Sequence, residues 1–315
     1  MRNRITLLTT ATRAIITLLS VVVGLLAILE WTNRRYVVKS SQIERRTTLE
    51  IERARALVPI GRKRILLVGN SLLLFAVDDS LLRRQIPKPW IVDRVVLEQT
   101  YFLDWSYGLA GLYEGGARSA IEALVLDPGQ LVGDMTRGDY TAFRLARKRD
   151  VISLGEEAHL HPTEISRLLL SSWSSFYGFR GESRKVLLSK ILPGMSELAA
   201  MLAPRANRAA QDQDSLILQH AVFLRLQRFR SESLLRGSRA VLILPPVSRS
   251  ESALRAVVRA GREADVPVLL AYVPGSYVAS EFSDGVHLNA IGRSRFTREL
   301  VIALDSLLSS EFAEH

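Results

Sequence analysis

Beyond an apolar N-terminal stretch, the chain alternates two patterns. Five short, nearly continuous apolar runs, at residues 65–68, 91–97, 123–126, 240–244 and 266–273, are separated by longer segments whose apolar residues recur at helical spacing. Unbroken apolar runs of strand length read as strands buried on both faces, and strands that alternate with helices imply a parallel sheet covered on both sides. The fold class expected is therefore α/β, a doubly wound, flavodoxin-like parallel sheet of five strands. The interval 129–239 is too long for a simple crossover and reads as a helical insert, with helices over 163–173, 183–192 and 214–230. In the last of these Leu216, Leu218, Val222, Phe223, Leu226 and Phe229 fall on helical spacing among Arg225, Arg228 and Arg230. Core packing is the ordinary reason for such a stripe; a lid or a membrane contact is the alternative.

The N-terminal stretch is of another kind. Residues 14–29 carry no charge and are rich in Ile, Leu and Val, but sixteen residues rise only about 24 Å, against a hydrocarbon core of roughly 30 Å. Ile5, Leu7 and Leu8 extend the apolar length, Arg13 can snorkel toward headgroups, and Trp31 suits the far interface. We expect residues 1–31 to form a single transmembrane signal anchor. Arg34, Arg35 and Lys39 stand where a cleaved signal peptide would carry small neutral residues. Residues 32–62, a charged, helix-permissive stretch, read as a stalk, and residues 63–315 as the α/β domain. Orientation does not follow from charge, because Arg2, Arg4 and Arg13 on one side nearly balance Arg34, Arg35 and Lys39 on the other.

Composition narrows the chemistry. The 315 residues are 48% hydrophobic, enough for one good-sized core, and contain no cysteine. Disulfides, thiolate catalysis and cysteine metal sites are thereby excluded. A net charge of +10 favours anionic surfaces, yet no nucleic-acid motif accompanies it, so phospholipid, an acidic glycan or a plain solvated face fits better than nucleic acid. His159 and His161 make a His-x-His pair, but no third ligand stands at suitable spacing and Pro162 marks a loop, so no metal is assigned.

Two segments carry a serine, a histidine and an aspartate. Gly69 stops the first apolar run, and Ser71 follows at once, at the carboxyl end of a predicted strand where a helix begins. Active sites of open α/β sheets lie at that end. Near the other terminus Asp284 precedes His287 by three residues on one tight turn, so the carboxylate can hold one imidazole nitrogen while the other faces a serine. Taken singly, Ser71 also reads as an ordinary helix cap and His287 as a surface loop residue.

The pair of segments, Gly69-Asn70-Ser71-Leu72 and Asp284-Gly285-Val286-His287, resembles the first and last blocks of the SGNH (GDSL-like) hydrolase superfamily. The resemblance implies an SGNH-type fold and a serine esterase or O-acyltransferase with Ser71, Asp284 and His287 as catalytic residues and no cofactor. It also implies Asn289 as the cap of a last helix near 290–308, and oxyanion donors after the second and third strands. Gly108 is the best candidate for the former; for the latter Gln130 stands where the family has an asparagine. Membrane-linked relatives that modify envelope polymers by O-acetylation or D-alanylation depart similarly. They place the catalytic domain outside the cytoplasm, with a glycan or lipid acyl ester as substrate and a membrane-bound acyltransferase as candidate partner. A non-catalytic scaffold or glycan-binding protein on the same fold, and a lipid esterase, are the competing readings.

Overall fold

The structure, a computed structural model, describes residues 2–39, 41–181, 183–184, 215–247 and 250–312. Its centre is a five-stranded, wholly parallel sheet: β1 (Lys63–Gly69), β2 (Trp90–Val96), β3 (Ile121–Val125), β4 (Arg239–Ile243) and β5 (Val268–Leu269), in the order β2-β1-β3-β4-β5. That order is the flavodoxin-like one, with β1 and β3 side by side at the point where the winding reverses. Side chains of a strand alternate between faces, so both faces must be apolar for the sheet to be covered twice. Leu66 and Val68 join one core layer with the helices Gln42–Arg55, Phe102–Glu114, Ser215–Leu235 and Glu251–Glu263, and Ile65 and Leu67 join the other with Ser71–Ala76, Asp79–Gln85 and Ala290–Phe312. All four of these β1 side chains are fully buried.

Two expectations change. The fifth strand is two residues long, because only Val268 and Leu269 find partners on β4 at the sheet edge. The segment expected as a stalk is largely a helix, Gln42–Arg55, seated on the domain. Ile51 and Ala54 enter the core, Glu50 pairs with Arg94 at 3.1 Å and accepts the Val96 N–H, and Glu44 accepts the Tyr140 hydroxyl at 2.6 Å. The insert is helical where described, at Pro162–Trp173 and Ser215–Leu235 among others, while most of the helix expected over 183–192 lies outside the described residues. Leu218, Val222, Leu226 and Phe229 are buried, so core packing accounts for most of that stripe, and Leu216 is exposed.

The N-terminal helix runs from Arg2 to Thr32, about 46 Å at the usual rise. Within it and the turn that follows, Thr12–Tyr36 is long and apolar enough to cross a membrane, and its most apolar eighteen-residue window is not buried. By length and composition it suits a membrane anchor or a signal sequence alike.

Candidate functional site

Ser71 owes its position to two neighbours. Gly69 ends β1 so close to β3 that an added Cβ would lie 2.5 Å from the Val125 carbonyl oxygen, so the strand turns there without a side chain. Asn70, fully buried, caps the next helix: its Oδ1 accepts the Leu72 N–H at 2.9 Å and its Nδ2 donates to the Thr100 carbonyl at 2.8 Å, tying the turn to the loop after β2. Ser71 is then the first residue of helix Ser71–Ala76, half-buried at the carboxyl end of β1.

The second half of the site is a folded-back turn. Phe282 and Leu288 pair across it, and the Ser283 N–H and hydroxyl both donate to the His287 carbonyl. Asp284 Oδ1 accepts the N–H groups of Val286 at 3.0 Å and His287 at 2.8 Å, and Gly285 sits at a φ of +81°, a conformation that favours glycine. Asn289 caps helix Ala290–Phe312 by accepting from Ile291 and Gly292, as expected.

The fold brings these two halves together across 216 residues. His287 Nε2 lies 3.0 Å from Ser71 Oγ, and His287 Nδ1 lies 2.7 Å from Asp284 Oδ2. An ionised carboxylate only accepts, so Nδ1 carries the proton and Nε2 presents its lone pair to the serine hydroxyl, which donates to it. Partial burial pushes the Asp284 carboxyl upward, but hydrogen bonds from the His287 ring and from the His287 and Val286 amides outweigh it and hold the group below the usual aspartate value. The Phe75 ring packs on the imidazole, centroids 4.8 Å apart, one helical turn on from Ser71. Beside Phe75 opens a shallow cavity of about 360 Å³ lined by Leu74, Asp78, Ser80, Arg94 and Arg293.

The comparisons with known proteins add little to this geometry. No protein-family model matches the chain, and no curated protein matches it. Among solved structures the chain is similar to LAE5, an α/β hydrolase enzyme from the metagenome of Lake Arreo, Spain. The identity is 9% and the TM-score 0.39, over 78% of this chain and 96% of that one. It is also similar to Est2A, an acetyl xylan esterase from the rumen bacterium Butyrivibrio proteoclasticus, at 11% identity and a TM-score of 0.38, over 81% of this chain and 66% of that one. Likeness this distant carries no argument about activity.

The two residues expected as oxyanion donors both have local structural uses. Gly108 lies inside helix Phe102–Glu114, where its N–H serves the helix, and an added Cβ would meet Leu145 at 2.9 Å; close helix packing explains this glycine. Gln130 turns its amide oxygen back to the Asp127 N–H at 3.1 Å, closing a capping box with Asp127. The Ser71 backbone N–H, at a helix N-terminus beside the hydroxyl, is a further candidate donor. Phe75 and Thr100 went unread in the sequence: Phe75 merges into an apolar run, and Thr100 contributes through its carbonyl, which carries no side-chain signal. His161, half of the His-x-His pair, caps helix Pro162–Trp173 through Nδ1.

Proposed function

We propose that this chain is a membrane-anchored, SGNH-type serine esterase or O-acyltransferase acting on short acyl esters of an envelope polysaccharide or its lipid-linked precursor. The contact chain Asp284–His287–Ser71, with spacings of 2.7 and 3.0 Å between residues far apart in sequence, is the observation that carries this reading. In it, His287 Nε2 takes the Ser71 hydroxyl proton as Oγ bonds to the ester carbonyl carbon, and the Ser71 N–H faces the developing oxyanion. Collapse of the tetrahedral intermediate breaks the ester bond, and the proton on Nε2 leaves with the departing alcohol, giving an acyl-serine. Water or a sugar hydroxyl then attacks that acyl group with His287 again as base, releasing acid or transferring the acyl group. Asp284 fixes the imidazole tautomer and stabilises the imidazolium. Residues 1–31 serve as the anchor, residues 63–315 as the catalytic domain with its insert at 129–239, and the domain lies outside the cytoplasm, as in the membrane-linked proteins it resembles.

A second reading, a scaffold or glycan-binding protein with weak chemistry, is favoured by one observation: Gly108 lies in a helix interior packed on Leu145, and Gln130 closes a capping box through its amide oxygen. Turnover of 4-nitrophenyl acetate by the detergent-purified full chain separates the two. The esterase reading expects turnover that Ser71→Ala reduces by several orders of magnitude. Equal rates in the two proteins would leave the scaffold.

A further inference from the structure

The apolar N-terminal helix does not end in a free linker. Near its last turn, the Glu30 carboxylate accepts the Ser174 hydroxyl at 2.7 Å, the Ser175 N–H at 2.8 Å and the Phe176 N–H at 3.1 Å, capping the short helix Ser175–Gly178. Asn33, itself buried, donates to Ser175 Oγ and accepts from Ser183 Oγ, both at 3.1 Å. The segment gripped in this way is packed into the domain. Gly178 leaves no room for a Cβ against Phe143, and Phe179 is fully buried against Tyr140, whose hydroxyl reaches Glu44. Anchor and insert are therefore one packed unit.

That junction fixes the level of the insert. Groups bonded to Glu30 lie level with it along the anchor, beside Trp31 and Tyr36, whose exposed rings meet edge to face at 6.0 Å. At the same level Trp173 is 64% exposed, Phe176 is exposed, and Leu169 and Leu170 share the Trp173 face of helix Pro162–Trp173. Arg34 and Arg35 stand next to this aromatic group, and the Lys148 ammonium lies 3.6 Å from the centre of the Trp173 ring. Aromatic rings with cations at the end of an apolar span are what a headgroup layer selects, because the rings are amphipathic and the cations meet lipid phosphates.

Helix Gln42–Arg55 gives the direction. Its early residue Arg46 pairs with Glu98 just beyond the carboxyl end of β2, whereas the carbonyls of Ala54 and Ala56 accept from Arg64 near the start of β1. The helix thus runs against the strands, and the end joined to the anchor lies at the carboxyl end of the sheet, the end that holds Ser71.

We infer that Leu169, Leu170, Trp173 and Phe176 lie in the headgroup layer of a phospholipid bilayer beside Trp31 and Tyr36. They seat the insert on the membrane and hold the Ser71 end of the sheet next to it. The seating rests on the anchor reading above, and it makes an acyl ester carried by a membrane-bound molecule the substrate class for Ser71.

The natural absence of cysteine permits a direct test with the full chain. Spin labels are attached to L18C in the span, L170C and F176C in the insert, and I302C on the exposed face of the last helix, each in vesicles of phosphatidylcholine and phosphatidylglycerol. Collision with oxygen, which concentrates in the bilayer, is compared with collision with a water-soluble nickel chelate. The ratio is expected to be highest at position 18, several-fold above the position 302 value at 170 and 176, and lowest at 302. Ratios at 170 and 176 equal to that at 302, with 18 in the bilayer, would overturn the seating and leave the anchor standing. A water-exposed label at 18 would overturn both, and dipolar broadening at 170 or 176 would show that a second copy of the chain covers the face instead.

Discussion

Replacing Asp284 with asparagine tests the electrostatic core of the proposed mechanism with little change of shape. Asparagine Oδ1 can still accept the Val286 and His287 N–H groups, so the turn survives. What changes faces the imidazole: an amide NH2 in place of Oδ2 makes Nδ1 an acceptor and moves the ring proton to Nε2, pointing it at Ser71. The charge that stabilises imidazolium is also lost. At about 4 Å that attraction is worth roughly 1 kcal/mol in water and roughly 4 kcal/mol near a protein surface. The Asp284 side chain is 55% exposed, so a value near the middle, about 2 kcal/mol, is appropriate. With the cost of the wrong tautomer added, kcat/KM should fall by roughly 30- to 1000-fold, taking about 1.4 kcal/mol per tenfold. The assay is 4-nitrophenyl acetate turnover with Tm measured alongside. Wild-type kcat/KM in Asp284→Asn at unchanged Tm would refute the role given to the carboxylate.

Other expectations follow from the same contacts. The Asp284 carboxyl, held below its usual value by the hydrogen bonds from His287 and Val286, should stay ionised down through the ordinary aspartate range, and protonation of this carboxyl above that range, followed by NMR, would contradict the assignment. The same depressed carboxyl makes a stability contribution, small because the group is half exposed, that is present at neutral pH and lost as pH falls through its folded value. Arg236→Met leaves the fully buried Glu122 carboxylate without the guanidinium that holds it at 2.7 Å, and urea unfolding should register a loss of about 3–5 kcal/mol. Deleting residues 1–28 should give a protein soluble without detergent that keeps its esterase activity. Extending the deletion to residue 32 removes the Glu30 cap and should cost about 1 kcal/mol more, read as a lower Tm.

The sheet was legible because both faces of its strands are buried: β1 to β4 are largely apolar, with Asp93, Arg94 and Glu122 among the charged exceptions inside the expected runs or beside them, and the short apolar runs locate them. β5 was read too long because residues 266–273 stay apolar after leaving the sheet, where Tyr272, for one, packs into the core with its hydroxyl on the Pro245 carbonyl. Pairing length at an edge depends on the neighbouring strand. Helix Gln42–Arg55 was read as a stalk because its charges suggest solvent. Their partners, Arg94, Glu98, Tyr140 and Arg144, lie dozens of positions away and only folding reveals them. At the site, Asp284 and His287 were readable because both belong to one short turn, and Ser71 because it follows a strand at once. For Gly108 and Gln130 spacing shows less, since their local structural uses, helix packing and a capping box, cannot be told from catalysis in the sequence.

The central claim is that Ser71 is a nucleophile activated by His287. Treating the full chain in detergent with a fluorophosphonate, then mapping the modified peptide by mass spectrometry, tests it most directly. One phosphonyl adduct is expected on Ser71, absent in Ser71→Ala and strongly slowed in His287→Ala. No adduct on the folded protein, or an adduct at another residue that persists in Ser71→Ala, would contradict it.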